Sequence, residues 1–230
     1  MDMQKGIQSS NCSYMLDYPF SEQIAFLGER LQHDLPGLDA HLNMAPASRV
    51  TPEALSIEGK ICRKAAVLAV LFPMADATGV ILTKRKQTLS KHPGQISFPG
   101  GKHEQHESLT QTALRETHEE IGLFANDISL LGSLSPLYIN VSNFCVYPFV
   151  GALKETPLSL TPQDSEVERI LKVPLQHLAD PALQRRENWV LNGAETTIPY
   201  YAYEGETIWG ATAMMLAELL SLFNSPQKND

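Results

Sequence analysis

The chain has 230 residues, 43% of them hydrophobic, with 26 acidic and 18 basic side chains and a formal net charge of −8. That balance disfavours general nucleic-acid binding, which calls for a basic surface, and without an apolar run of about 18 residues nothing is expected to span a membrane. Three widely spaced cysteines (Cys12, Cys62 and Cys145), no CxxC pair and no signal-peptide pattern read as reduced, packed thiols of a cytoplasmic globular protein.

The first 20 residues look loose and polar. "SEQIAFLGERLQHDLPG" (21–37) reads as a helix, with Ser21 as N-cap, Ile24, Leu27 and Leu31 at helical spacing and Pro36-Gly37 as its end. A connector, "NMAPASRVTPEA", leads to the main body, so residues 1–54 are expected to be an extension with one helix and 55–230 the main domain. "KAAVLAVLF" (64–72) and "GVILTKR" (79–85) read as strands joined by a turn. After a Gly-rich loop, residues 109–121 predict a helix with a Ser108/Gln111 capping box and Gly122 as its C′ residue. "DISLLGSL", "NFCVYPFVGAL" and "VERILKVPL" are strand-like, Asn192-Gly193 marks a hairpin, and "ATAMMLAELLSLF" (211–223) reads as an amphipathic helix before a frayed end. These elements predict an α+β fold with a mixed sheet.

The helix at 109–121 carries Glu116, Glu119 and Glu120 within one turn and a half. Like charges at that spacing cost an isolated helix about 0.2–0.5 kcal/mol per pair. On a helical wheel Leu109, Ala113, Leu114, Thr117 and Ile121 form a packing face, and the three glutamates fill the adjoining arc with Arg115 at its edge. Three carboxylates beside the exposed carbonyls of "FPGGK" make a hard-oxygen site suited to Mg²⁺ or Mn²⁺, which would neutralise the cluster. The alternative is a solvated acidic helix face.

The spacing reaches further. Gly101, Glu107, Arg115, Glu116, Glu119, Glu120 and Gly122 stand in the order G-x5-E-x7-R-E-u-x-E-E-x-G-u, with Thr117 where a bulky aliphatic residue is usual. This resembles the Nudix box, and a chance match at a given start is on the order of 10⁻⁸ to 10⁻⁹ from ordinary residue frequencies. The resemblance implies a Nudix-type α/β/α sandwich that hydrolyses a diphosphate linked to another group, with Glu116, Glu119, Glu120 and the Gly101 carbonyl as metal ligands. Glu107 would hold the loop and a water on the metal; Arg115, four residues before Glu119 on the helix, can pair with it and orient that carboxylate. The general base would be Glu116 or, from outside the box, Glu166.

Just before the box, "LTKRKQTLSKHPGQISFPGGK" (82–102) gathers cations in an otherwise acidic chain. Arg and Lys are natural partners of phosphate oxygens, although a solvated basic loop is the plainer alternative. The stretch is similar to a pattern of the coenzyme A pyrophosphatase group of Nudix hydrolases at Leu82, Thr83, Arg85, Gly94, Phe98, Pro99, Gly100 and Gly101, and departs from it at Lys86 and Ser90. "EVERILKVPLQHL" and "IWGATAMML" extend the likeness over roughly residues 60–220. It implies cleavage of coenzyme A or an acyl-coenzyme A to 3′,5′-ADP and 4′-phosphopantetheine, with Arg85, Lys91, His92, Gln95 and Lys102 contacting substrate. A Nudix hydrolase of ADP-ribose, a dinucleotide or a nucleotide sugar stays open, as does a non-catalytic ligand-binding regulator. A homodimer is a further expectation. "HEQHE" (103–107) is one residue short of a zinc-protease motif and reads as exposed loop.

Overall fold

The computed structural model describes residues 15–33, 35–89, 92–156, 159–191 and 193–224. Three helices come first, α1 (Phe20–Arg30), α2 (Gly37–Leu42) and α3 (Pro52–Leu55). The strands β1 (Arg63–Pro73), β2 (Thr78–Arg85), β3 (Ile96–Ser97) and β4 (Gly100–Lys102) lead to α4 (Leu109–Ile121). Then follow β5 (Ser129–Ser133), β6 (Leu137–Ile139), β7 (Phe144–Ala152), β8 (Val167–Pro174) and α5 (Leu175–Ala179). The chain continues through β9 (Gln184–Leu191), β10 (Ala194–Tyr203), β11 (Glu206–Trp209) and α6 (Gly210–Leu222).

The expected mixed sheet is present. Its path runs β3-β2-β1-β7-β5, with β4 beside β1, β6 beside β7 and β8 beside β2. β1 and β7 are parallel (Ala65↔Val146 to Leu71↔Ala152), while β2 and β4 lie antiparallel to β1. β1 is apolar on both faces because both are covered. Ala66, Leu68, Val70 and Phe72 meet Ala113 and Ile121 of α4, whereas Ala69 and Leu71 join the cluster that holds Leu216 and Leu219 of α6. The result is a three-layer α/β/α arrangement with α4 on one side and α6 on the other. β9, β10 and β11 form a separate three-stranded sheet, and Gly193 takes a φ of 80° at its first hairpin; Asn192 lies outside the described residues.

Three expectations need correction. The single helix over 21–37 is instead α1 and α2: α1 is capped by Pro19, whose carbonyl accepts from Glu22 and Gln23, so Ser21 sits inside it. α1 stops at Arg30, ahead of Pro36, and Gly37, with φ 55°, begins α2 rather than ending α1. α6 is not amphipathic but buried nearly all round, Glu218 included. That carboxylate is 2.9 Å from His41 Nε2 and accepts from the backbone N–H groups of Gly37 and Ser135 at 3.0 and 3.1 Å. A charge in a helical pattern reads as a solvent face unless its partners, here 83 to 181 residues away in sequence, are known. Finally, Cys62 and Cys145 are not free thiols but a disulfide, with Cα atoms 5.7 Å apart. Pairing of β1 with β7 aligns Lys64 with Cys145, and no local spacing reveals that parallel register. Cys12 lies outside the described residues.

Leu16, Leu27, Leu31, Met44 and Leu55 are buried in the same cluster as α6. Among the described residues no helix is long and apolar enough to cross a membrane.

Candidate active site

β4 and α4 meet along the edge of β1, and their junction carries the acidic cluster. The helix starts and stops where the sequence predicts. The Ser108 hydroxyl accepts from Gln111 N, the Gln111 side chain accepts from Ser108 N, and Gly122 closes the helix in the left-handed region at φ 77°. Thr117 fits its aliphatic position because its methyl is buried and its hydroxyl donates back to the Ala113 carbonyl at 2.7 Å.

Arg115 is the hub. Its Nε and Nη2 donate to the two oxygens of Glu107 at 3.1 and 2.9 Å, and Nη1 donates to Glu116 at 3.0 Å and Glu119 at 3.2 Å. Nη2 also donates to the Lys102 carbonyl, which ties the helix to β4. Glu107 further accepts from Glu104 N and the Thr112 hydroxyl. Arg115, above all, holds the Glu107 carboxyl down to about 2, so it stays ionised. His103 is not a free loop residue: half-buried, it lies 2.9 Å from the Thr112 hydroxyl, whereas His106 is exposed as expected. His118 is exposed and stacks on Phe124.

The three glutamates differ in environment. Glu119 is half exposed. Glu116 is pushed up by burial, reinforced by the charges of Glu119 and Glu166 and opposed by Arg115. Its carboxylate lies against Gly101, where a Cβ would come within 2.4 Å of it. Glycine is required there because the strand backbone and the carboxylate share that space. Glu120 is the most buried, 4% exposed, and accepts from Gly100 N at 3.4 Å. Burial pushes its carboxyl up to about 8, with Glu116 and Glu166 adding to the rise and Arg85 and Gly100 opposing it.

Among the described residues no three His, Cys, Asp or Glu side chains form a closed metal cage. A cation instead already stands among the glutamates, the Arg115 guanidinium, which bonds both Glu116 and Glu119. The donor set is wholly oxygen, its buried members carry raised pKa values, and the missing Gly101 side chain leaves space for a carboxylate beside a backbone carbonyl. Those features fit a hard divalent cation.

Glu166, chosen from sequence outside the box, is brought to this cluster. The turn before β8 delivers it, the Lys86 N–H donates to its carbonyl, and its carboxylate pairs with Arg85 at 3.4 Å. Arg85 in turn lies 3.9 Å from Glu120. Arg85, His92, Gln95 and Lys102 all line one cavity of about 350 Å³ that also reaches Gly101. Lys91 lies outside the described residues. The cavity body is apolar, with Val67, Phe98, Phe144, Trp209 and Met215 in its wall. Trp209 and Met215 therefore face a ligand-sized space. Arg49 also lines it and was missed, since a lone cation in a Pro-flanked connector carries no periodicity or motif.

A family model described as the NUDIX domain matches residues 63–192. The chain is 31% identical over 175 residues to Nudix hydrolase 3 of Caenorhabditis elegans, covering 68% of this chain and 73% of that protein. It is 37% identical over 161 residues to the chloroplastic Nudix hydrolase 22 of Arabidopsis thaliana, covering 67% of this chain and only 53% of the relative. It is 32% identical over 190 residues to the human mitochondrial coenzyme A diphosphatase NUDT8, covering 74% of this chain and 80% of that protein.

Proposed function

The chain belongs to the Nudix family and is a diphosphate hydrolase, and we propose that it cuts coenzyme A or an acyl-coenzyme A to 3′,5′-ADP and 4′-phosphopantetheine, acylated or not. One observation carries the substrate choice: a cavity lined by cations, Arg85 and Lys102 among them, and by His92 opens onto Gly101 beside the acidic helix. A chain of net charge −8 gathers positive groups there to receive a ligand with more than one anionic group. The likeness to a human protein named as a coenzyme A diphosphatase supports the same choice.

Nudix hydrolases need divalent metal ions, and in this reading Glu116, Glu119, Glu120 and the Gly101 carbonyl hold Mg²⁺ or Mn²⁺. When bound, the cation supplies Lewis acidity at phosphorus and makes water more acidic. Arg115, anchored by Glu107, sets the directions of the Glu116 and Glu119 carboxylates. Arg85 holds one oxygen of Glu166 at 3.4 Å and lines the cavity, where its guanidinium would pair with a phosphate oxygen. Glu166 accepts the proton of the attacking water, with Glu116 as the alternative base; the water oxygen bonds to one phosphorus as the bridging P–O bond breaks, and the bridging oxygen leaves on the other phosphorus, so both products are phosphomonoesters, 3′,5′-ADP and 4′-phosphopantetheine.

The test is a product assay. With Mg²⁺ or Mn²⁺ present, the protein is given coenzyme A, ADP-ribose or NADH and the products are separated by chromatography. Fastest release of 3′,5′-ADP, stopped by EDTA, is the expected result. Faster cleavage of ADP-ribose would keep the chemistry and remove coenzyme A as the preferred substrate.

A further inference from the structure

The cavity that reaches the acidic helix is also lined by a cation that the hydrolysis just described does not use. The cavity is lined by Arg49, Arg85, His92 and Lys102, with no Asp or Glu in its wall. Arg85 is engaged with Glu166 and Glu120. The Arg49 guanidinium, by contrast, has no hydrogen-bond, ion-pair or ring partner among the described residues. It is half-buried, and burial lowers its pKa from the usual value with no neighbouring charge to oppose the shift. A guanidinium carries five donors, and at Arg49 no protein acceptor meets them among the described residues, which leaves them available to a ligand.

Its backbone is firmly placed. Arg49 ends a short 3₁₀ turn, Ala47–Arg49, and its N–H donates to the Pro46 carbonyl at 2.7 Å. Met44 and Ala45 just before it are buried, and Arg186 of β9 donates to the Asn43 carbonyl at 3.2 Å. The turn is thus a fixed wall that presents one unpaired cation to a ligand-sized space. Phe98, Phe144 and Trp209 line the same cavity as Arg49 and Gly101 and offer apolar surface for a ring system.

We propose that Arg49 forms a second anion subsite that binds the 3′-phosphate of the adenosine half of coenzyme A, with the nucleoside body against the Phe144 and Trp209 wall. This rests on the coenzyme A reading above. It adds a specificity residue from outside the 63–192 region that the family model matches. The 3′-phosphate is the only anionic group of coenzyme A apart from the scissile diphosphate, so a cation from the 47–49 turn, outside the β4–α4 junction, matches the one anion that junction does not use.

The test compares kcat and KM for coenzyme A and 3′-dephospho-coenzyme A in the wild type, Arg49→Ala, Arg49→Gln and Arg49→Lys. The wild type should favour coenzyme A, and Arg49→Ala should raise its KM by about 10- to 100-fold, the range for a lost charge-assisted phosphate contact. Its kcat, and both constants for the dephospho substrate, should stay within about twofold, since neither depends on the lost contact. Arg49→Lys should keep part of the preference, and Arg49→Gln, of similar size but neutral, should behave as Arg49→Ala even if the alanine variant folds poorly. Equal losses on both substrates, or an unchanged preference, would overturn the subsite while the coenzyme A reading stands. Wild-type cleavage of ADP-ribose in place of coenzyme A would overturn that reading, and the 3′-phosphate subsite with it.

Discussion

Arg115 grips both oxygens of Glu107, Nε to one at 3.1 Å and Nη2 to the other at 2.9 Å, and its remaining nitrogen reaches Glu116 and Glu119. The pair converts a charge cluster into a set of oriented acceptors. Lys presents a point charge and cannot reproduce the two-pronged contact. Arg115→Lys and Glu107→Gln should each lower kcat/KM by about 100-fold, and the double variant should be little worse than either, as expected of residues that act as one unit. Additive losses in steady-state assays would show that the two work separately.

Gly101→Ala isolates the packing of Glu116 on β4. The added Cβ would lie 2.4 Å from that carboxylate, so Glu116 must turn away. The fold should survive, with a melting temperature within about 4 °C of the parent, because the displaced group is a side-chain end. The Mg²⁺ concentration for half-maximal activity should rise about tenfold, the low end of what disturbing a metal ligand's support costs. An unchanged Mg²⁺ titration would take Glu116 off the ligand set.

Glu120 links stability to pH and to metal. Its carboxyl is raised from 4.5 to about 8 in the folded protein, mainly by burial, so the native state holds that proton more tightly than the unfolded chain. The resulting stability is fully present below pH 4.5 and is lost as pH rises through about 8. A divalent cation replaces the proton, so protection by Mg²⁺ should grow with pH. Thermal melts at pH 6 and 8.5, with and without Mg²⁺, should show a shift several degrees larger at the higher pH. An equal shift at both would mean that Glu120 is not titrating against the metal.

Glu218 is buried against His41 and two backbone N–H groups. Glu218→Leu strands all three partners and should cost about 3–5 kcal/mol, the range for breaking a buried pair from one side. Urea unfolding measures it; a loss under 1 kcal/mol would show that the surroundings relax or that water takes over the contacts.

How much of this was legible beforehand depended on the range of the interactions. α4 was readable to the residue because caps, charges and packing face all lie within 15 residues, and Gly122 and Ser108 act on their own neighbours. β1 and β2 were readable because apolar runs of that length fit only a covered sheet. Glu166 could be picked out as a nearby carboxylate but not placed, since its approach depends on β8 pairing with β2. The Cys62–Cys145 bond, the Glu218–His41 pair and the place of Arg49 in the cavity wall stayed hidden for one reason. Each joins segments from different parts of the chain, and a pattern within one segment holds no information about a partner in another.

The meeting of the N-terminal helices with α6 bears on the order in which the protein matures. Met15 N donates to the Phe223 carbonyl, and Leu27 and Leu31 share a cluster with Leu219 and Phe223. During synthesis, residues 15–45 leave the ribosome roughly 180 residues before the helix that covers them, which at about 5–20 residues per second is a wait of some 10 to 35 seconds. For that interval Leu27 and Leu31 lack their full native cover: β5 reaches Leu31 first, at Gly132, and α6 completes the cluster. The turn that supplies the Arg49 wall is likewise made early and fixed late, when Arg186 of β9 reaches the Asn43 carbonyl, and a nascent chain cut short of α6 would leave Leu27 and Leu31 incompletely covered and open to aggregation or chaperone capture.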